Sequence, residues 1–166
     1  MTDTSFSLLF LACLACASGI RLWLARRQIQ HVLRHRDRVP GEFADTISLT
    51  AHQRAADYTA ARVALGQWSI VAGIALLLLL TLGGGIQALH DAWADWLTPG
   101  SLPHGVALIA SVMVVSWAVD LPFGLYKTFG IEAAFGFNRM TPALFLADLA
   151  RQGALALALG LPILAG

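Results

Sequence analysis

Charge is scarce in this sequence. Asp, Glu, Lys and Arg make up 13% of its 166 residues, while 57% are hydrophobic; a soluble domain carries about 25% charged and about 45–50% apolar residues. The apolar excess lies in blocks, which points to lipid rather than to a large soluble core. Cysteine is also scarce. The two present, Cys13 and Cys16, share the first apolar block. Their i,i+3 spacing places them on one helix face, where they cannot bridge each other. Apolar surroundings disfavour the thiolate that a redox or metal CxxC needs, so they are read as packing thiols. No strand alternation and no internal repeat is present. Gly83-Gly84-Gly85 lacks the following Lys-Ser/Thr of a phosphate loop and is read as a flexible end or a close helix contact. No nucleic-acid partner is expected.

What is present is membrane-spanning sequence. A helix crossing the hydrocarbon core needs about 20 mostly apolar residues. Such stretches run over about 5–24, with Arg21 placed to snorkel at one end, over 63–86 without a charge, and over 102–125 with Asp120 near its end. A fourth begins near Gly153 and reaches residue 166, and those 14 residues span about 21 Å as helix against a core of about 30 Å. The fold class expected is therefore an all-α membrane protein with three transmembrane helices and a truncated fourth. The first stretch lacks the basic n-region of a cleaved signal peptide and is read as a retained signal-anchor helix.

Loop charge orients these spans. Between the first two lie Arg26, Arg27, Arg34, Arg36, Arg38, Arg54 and Arg62; the segment 87–101 has no Lys or Arg but contains Asp91 and Asp95; the third connection carries Lys127, Arg139 and Arg151. The positive-inside rule then puts the N-terminus outside and the first and third connections in the cytoplasm. The expected setting is a bacterial inner membrane. Trp23, Trp68, Trp93 and Trp96 suit interfacial belts.

From Ala25 to His35 the first helix continues out of the membrane until Val39-Pro40-Gly41 breaks it. A second helix starts after Ser48 or Thr50, either of which can cap it, and runs into the second span. Together they form a cytoplasmic helical hairpin. His31 and His35 have the i,i+4 spacing of an HExxH zinc helix, but Val32-Leu33-Arg34 supplies no glutamate, and no third ligand is near in sequence. They are read as part of a basic face near anionic headgroups. Asp120 is a candidate functional residue because ionisable side chains inside membranes usually are; a helix-end ion pair with Lys127 is the competing reading.

The third connection reads Lys127-Thr128-Phe129-Gly130-Ile131-Glu132-Ala133-Ala134-Phe135-Gly136-Phe137-Asn138-Arg139-Met140-Thr141-Pro142. Two glycines, three aromatics and the proline suggest a tight turn, and Thr141-Pro142 fits an N-cap with proline at the first helical position. Ile131-Glu132 with Phe135-Gly136-Phe137-Asn138-Arg139-Met140-Thr141 resembles a loop of the type I CAAX prenyl proteases, close to IEExFGFN[KR]MT. Val39-Pro40 followed by His52-Gln53-Arg54-Ala55-Ala56-Asp57-Tyr58 is similar to the family's first cytoplasmic connection, VP…HQKAxDYTxxK. Ala133-Ala134 replace a common charged pair, Arg62 replaces a common Lys, and no HExxH occurs.

The resemblance implies that residues 1–166 are the N-terminal membrane region of a zinc metalloendopeptidase whose catalytic domain lies outside this chain. Zinc in the parent would polarise a carbonyl and activate water, with a glutamate as general base. The substrates would be prenylated or membrane-associated proteins, and the partners the lipid bilayer, the remaining helices and the catalytic domain. This chain would hold neither a metal ligand nor a catalytic residue and would be inactive alone. It would form part of a chamber wall and a loop supporting the site, with Glu132, Phe135, Gly136, Phe137, Asn138, Arg139, Met140 and Thr141 as the supporting residues. The alternative is a small non-enzymatic membrane scaffold or transporter subunit.

Overall fold

The computed structural model describes residues 3–165, all helix, turn or coil, with no strand among the described residues. Helix α1, Asp3–Arg34, passes unbroken from the first apolar stretch into its basic extension. It stops ahead of Val39, because a residue before proline is pushed out of the helical region. A short 3₁₀ turn, Gly41–Phe43, leads to α2, Leu49–Thr81. Of the two expected caps the chain uses Ser48, whose Oγ accepts a hydrogen bond from the Ala51 N–H at 3.2 Å. Helices α1 and α2 pack antiparallel, with the Gln67 side chain donating to the Leu22 carbonyl at one level and His52 meeting the His35 carbonyl at another.

The second span ends at Thr81 rather than at 86, a correction with a steric cause. A Cβ on Gly83 would sit 2.7 Å from the Leu79 carbonyl oxygen and one on Gly85 would sit 2.9 Å from Leu80 Cα, while Gly84 has φ +75°. The three glycines allow the backbone to fold back at once into α3, Gly85–Ala94. The segment expected as an outer loop is thus largely helical, and only residues 95–101 connect it onward. Trp93 is not merely interfacial, since its Nε1–H donates to Ser111 Oγ at 2.8 Å and holds α3 on the next helix. His104 is buried against His90, with ring centroids 4.6 Å apart.

Helix α4, Leu102–Leu125, matches the expected third span and is capped by Ser101. It does not end in a turn there. Its ladder widens into a π-helical segment, Tyr126–Glu132, that continues the axis. Pro122 inside α4 lacks the N–H that an unbroken ladder requires. Gly130, expected in a turn, lies within this segment, where a Cβ would approach the Tyr126 ring to 3.1 Å. Helix α5, Pro142–Ala165, starts at the proline after Thr141 and runs into the fourth apolar stretch without a break. Asp148 and Arg151 inside it pair with each other at 3.2 Å. The expected end at 166 lies outside the described residues.

Helix α2 is the hub, touching α1, α3, α4 and the π-helical segment, and α5 rests on α4. Among the described apolar residues only Ala56, Leu80 and Ile131 are buried, while Leu9, Leu79, Met113 and Val114 stand exposed. Such a surface would aggregate in water; in a bilayer it is the lipid-facing wall. Cys13 and Cys16 lie on that exposed surface, so they do not pack internally as the sequence suggested.

Replacing Gly84 by Ala forces a side chain into left-handed backbone, which costs about 1–2 kcal/mol. Gly84→Ala is expected to lower the thermal unfolding midpoint of the protein in detergent. Gly73→Ala, where a Cβ meets nothing within 4 Å, should not. Equal midpoints for both variants would refute this account of the turn.

Candidate functional site

The third connection is built from its backbone outward. The helical path ends at Ala134, and Gly136, with φ +73°, closes it. The Gly136 N–H donates to the Ala133 carbonyl at 3.0 Å and the Phe137 N–H to the Glu132 carbonyl at 2.8 Å. These are the paired bonds of a Schellman cap, which needs a residue tolerant of left-handed backbone. Asn138 then turns the chain, its Oδ1 accepting from the Met140 N–H at 2.6 Å. Thr141 accepts from the Leu144 N–H at 3.2 Å and caps α5, as Thr141-Pro142 implied.

The first connection holds this loop in place. Arg54, on α2, donates a guanidinium N–H to the Phe135 carbonyl. The fit is close, for a Cβ on Gly136 would lie 3.1 Å from the same Arg54 nitrogen. Gly136 is thus required both by its backbone and by the arginine beside it. One turn along, Tyr58 meets Phe135 and Phe137 edge-on at centroid distances of 5.5 and 4.9 Å. Contacts of this geometry contribute about 0.5–1.5 kcal/mol each beyond burial. Phe129 and Phe145 make a third such pair at 5.6 Å across the connection.

Arg54 and Tyr58 are themselves fixed by the hairpin. Arg36 binds Asp57 through two nitrogens, at 2.7 and 2.8 Å, and reaches Asp37 at 3.1 Å. Gln53 also donates to Asp37, at 2.8 Å. Both ionised forms are favoured by this fork. The Asp57 hydrogen bond raises the Arg36 guanidinium further above its ordinary value, and Arg36 holds the Asp57 carboxyl below the usual carboxylate range. Both groups lie outside the membrane, ahead of the apolar stretch that begins at Val63.

Beside the loop is a cavity of about 340 Å³ lined by Thr128, Glu132, Phe137, Asn138, Arg139, Met140 and Leu144. Glu132 is half-buried and 3.8 Å from Lys127. The expected supporting residues therefore divide. Glu132, Phe137, Asn138, Arg139 and Met140 line the cavity, whereas Phe135 and Gly136 form the seam with Arg54 and Thr141 caps α5. Asp120 is not brought to the cavity; it is exposed and has no ion-pair or hydrogen-bond partner among the described residues, and Lys127 pairs with Glu132 instead. Sequence reasoning did not single out Arg54, Tyr58 and Thr128 as site residues. The signal for the first two was the motif His52–Tyr58, whose i,i+4 spacing sets Arg54 and Tyr58 on one helix face.

The described residues contain no group of three His, Cys, Asp or Glu side chains able to hold a metal ion. The His31 and His35 rings lie tilted by 39° with centroids 4.4 Å apart, and the His35 Nδ1 lies 2.8 Å from the His31 carbonyl oxygen.

A family profile described as "CAAX prenyl protease N-terminal, five membrane helices" matches residues 28–166. The chain belongs to this family. A CAAX prenyl protease 1 homolog of Caenorhabditis elegans is 29% identical over 163 residues, covering 96% of this chain and 36% of that protein. A probable CAAX prenyl protease 1 of Schizosaccharomyces pombe is 27% identical over 143 residues, covering 79% and 30%. A rice homolog is 48% identical over 62 residues, 37% of this chain and 15% of that protein. The crystal structure of S. mikatae Ste24p superposes with a TM-score of 0.85 at 22% identity, over 95% of this chain and 37% of that one; it shares the fold. The chain thus spans about a third or less of the curated relatives it matches. It is the membrane region at the N-terminal end of the CAAX prenyl protease family, and an integral membrane protein.

Removing the Arg54 guanidinium leaves the Phe135 carbonyl without its charged donor. A charge-assisted bond at an exposed site is worth on the order of 1 kcal/mol. Arg54→Ala should therefore speed amide exchange at Phe137 and Asn138 about fivefold, with Arg54→Lys intermediate. Unchanged protection in Arg54→Ala would show that the loop holds itself.

Proposed function

We propose that this chain supplies the membrane wall and the site-supporting loop of a zinc-dependent endopeptidase acting on prenylated or membrane-associated proteins. The observation that carries the reading is the seam between the two family motifs, in which Arg54 and Tyr58 seize Phe135 and Phe137 next to a cavity of mixed polarity. Residues distant in sequence are ordered together where a peptide can be received. Thr128, Glu132, Asn138 and Arg139 offer hydrogen-bonding groups to a peptide backbone, and Phe137, Met140 and Leu144 offer apolar contact to its side chains.

Among the described residues no three of the ligand types that zinc needs converge. On this reading the metal is held by residues outside the chain. What Glu132, Phe137, Asn138, Arg139 and Met140 do is shape and position. Membership of the protease family over most of the chain disfavours a non-enzymatic scaffold or transporter subunit. The curated relatives are eukaryotic, so they lend no support to a bacterial inner membrane. The charge pattern supports placing the hairpin and the loop in the cytoplasm with the N-terminus outside.

The decisive observation is the reading frame past Gly166. It is expected to continue and to encode HExxH, and the protein it encodes should bind one zinc and cleave a farnesylated CAAX peptide until chelated. A stop codon after Gly166 would overturn the reading. For orientation, cysteines placed at Glu42 and at Asp95 in a background without Cys13 and Cys16 should differ in labelling by an impermeant maleimide. Asp95 should react from outside and Glu42 only after permeabilisation, and the opposite pattern would refute the topology.

A further inference from the structure

Away from the loop, the groove between α1 and α2 opens into a second cavity of about 320 Å³ lined by Gln28, Tyr58, Thr59, Arg62 and Val63. It has room for roughly ten water molecules at about 30 Å³ each and lies at the small end of the ligand-site range, about 300–1,000 Å³. Arg62 has no carboxylate partner among the described residues, in contrast to Arg36, and is exposed beside the cavity. The Gln28 amide likewise has no partner there. The cavity therefore offers a guanidinium and an amide, beside a phenol and a threonine, with nothing negative on its walls.

Its depth is set by the chain. Arg62 immediately precedes Val63, where the charge-free stretch of α2 begins, and the antiparallel register brings Gln28 to the same level. Arg26 and Arg27 immediately precede Gln28. Toward the apolar side lie Trp23 and Trp68, both exposed, with the Arg27 guanidinium 5.4 Å from the Trp23 ring centroid. Tryptophans of this kind mark the headgroup level of a bilayer. A cationic cavity at that level, open to the side, meets one abundant anion of fixed depth.

We propose that the α1–α2 groove is a binding site for the phosphate headgroup of an anionic phospholipid, with Arg62 and Gln28 as the principal donors. Arg26 and Arg27 add to the local potential, and the acyl chains run along the exposed apolar faces of α1 and α2. A basic side chain at an anionic surface is worth about a fivefold preference. Because Tyr58 lines this groove and also grips Phe135 and Phe137, an occupied headgroup would brace the same helix that positions the loop.

The test uses the intact protein in nanodiscs containing brominated phosphatidylglycerol or, at equal mole fraction, brominated phosphatidylcholine. Bromine quenches nearby tryptophan. The protein should show excess quenching by the anionic lipid that corresponds to about fivefold local enrichment. Arg62→Gln should lose most of that excess, Gln28→Leu part of it, and Arg38→Gln, further from the apolar stretch, almost none. Absence of any excess, or equal loss in Arg62→Gln and Arg38→Gln, would overturn the proposal in favour of diffuse attraction. Loss of the excess on adding inorganic phosphate at constant ionic strength would overturn it in favour of a soluble anion site.

Discussion

Hydrocarbon offers a peptide group no hydrogen-bonding partner, so within the bilayer every N–H and C=O must be satisfied by the chain itself. The architecture follows from that constraint. The apolar stretches are helices, and their side chains need not be buried because lipid receives them. The only buried apolar residues among those described are Ala56, Leu80 and Ile131. At two departures from helix something specific replaces the lost ladder. At Gly83-Gly84-Gly85 the replacement is the close backbone turn that absent side chains permit. At residues 133–141 it is a Schellman cap, an Asx turn and a threonine cap in succession, with an arginine from another helix satisfying the carbonyl that remains.

That arginine links the two family motifs into one unit. Arg36, Asp57, Asp37 and Gln53 hold the hairpin; the hairpin aims Arg54 and Tyr58; and these two hold Phe135 and Phe137. Residues of the same loop line the cavity. The π-helical segment contributes by carrying Thr128 and Glu132 around to face Asn138 and Arg139. Wide turns of this kind recur at functional sites because they re-aim side chains without ending a helix.

Much of this was legible from residue patterns. Helix α1 with its basic extension, the third span at Leu102–Leu125, and the caps at Ser48 and Thr141 all follow from hydropathy and local capping chemistry. The misreadings have local causes. Gly130 reads as a turn former in the third connection, yet it lies within the π-helical segment and makes room for the Tyr126 ring. The segment after Gly85 carries polar residues beside apolar ones, so a hydropathy window passes over α3, although one face of it packs on α4 through Trp93. Asp120 drew attention as an intramembrane acid, but distance along the chain could not reveal that Lys127 turns to Glu132.

The sequence by itself determined that this chain spans a membrane, how many apolar helices it offers, and which family it belongs to, because hydropathy and motif identity are properties of residues in order. The tertiary structure alone decided which residues of the two motifs meet. Arg54 and Phe135 are 81 positions apart, and only the packing of α2 against the π-helical segment brings donor and carbonyl together. It likewise decided that Tyr58 grips the loop on one side and faces the α1–α2 groove on another, since the direction of a side chain among neighbours is fixed by packing and not by its place in the chain.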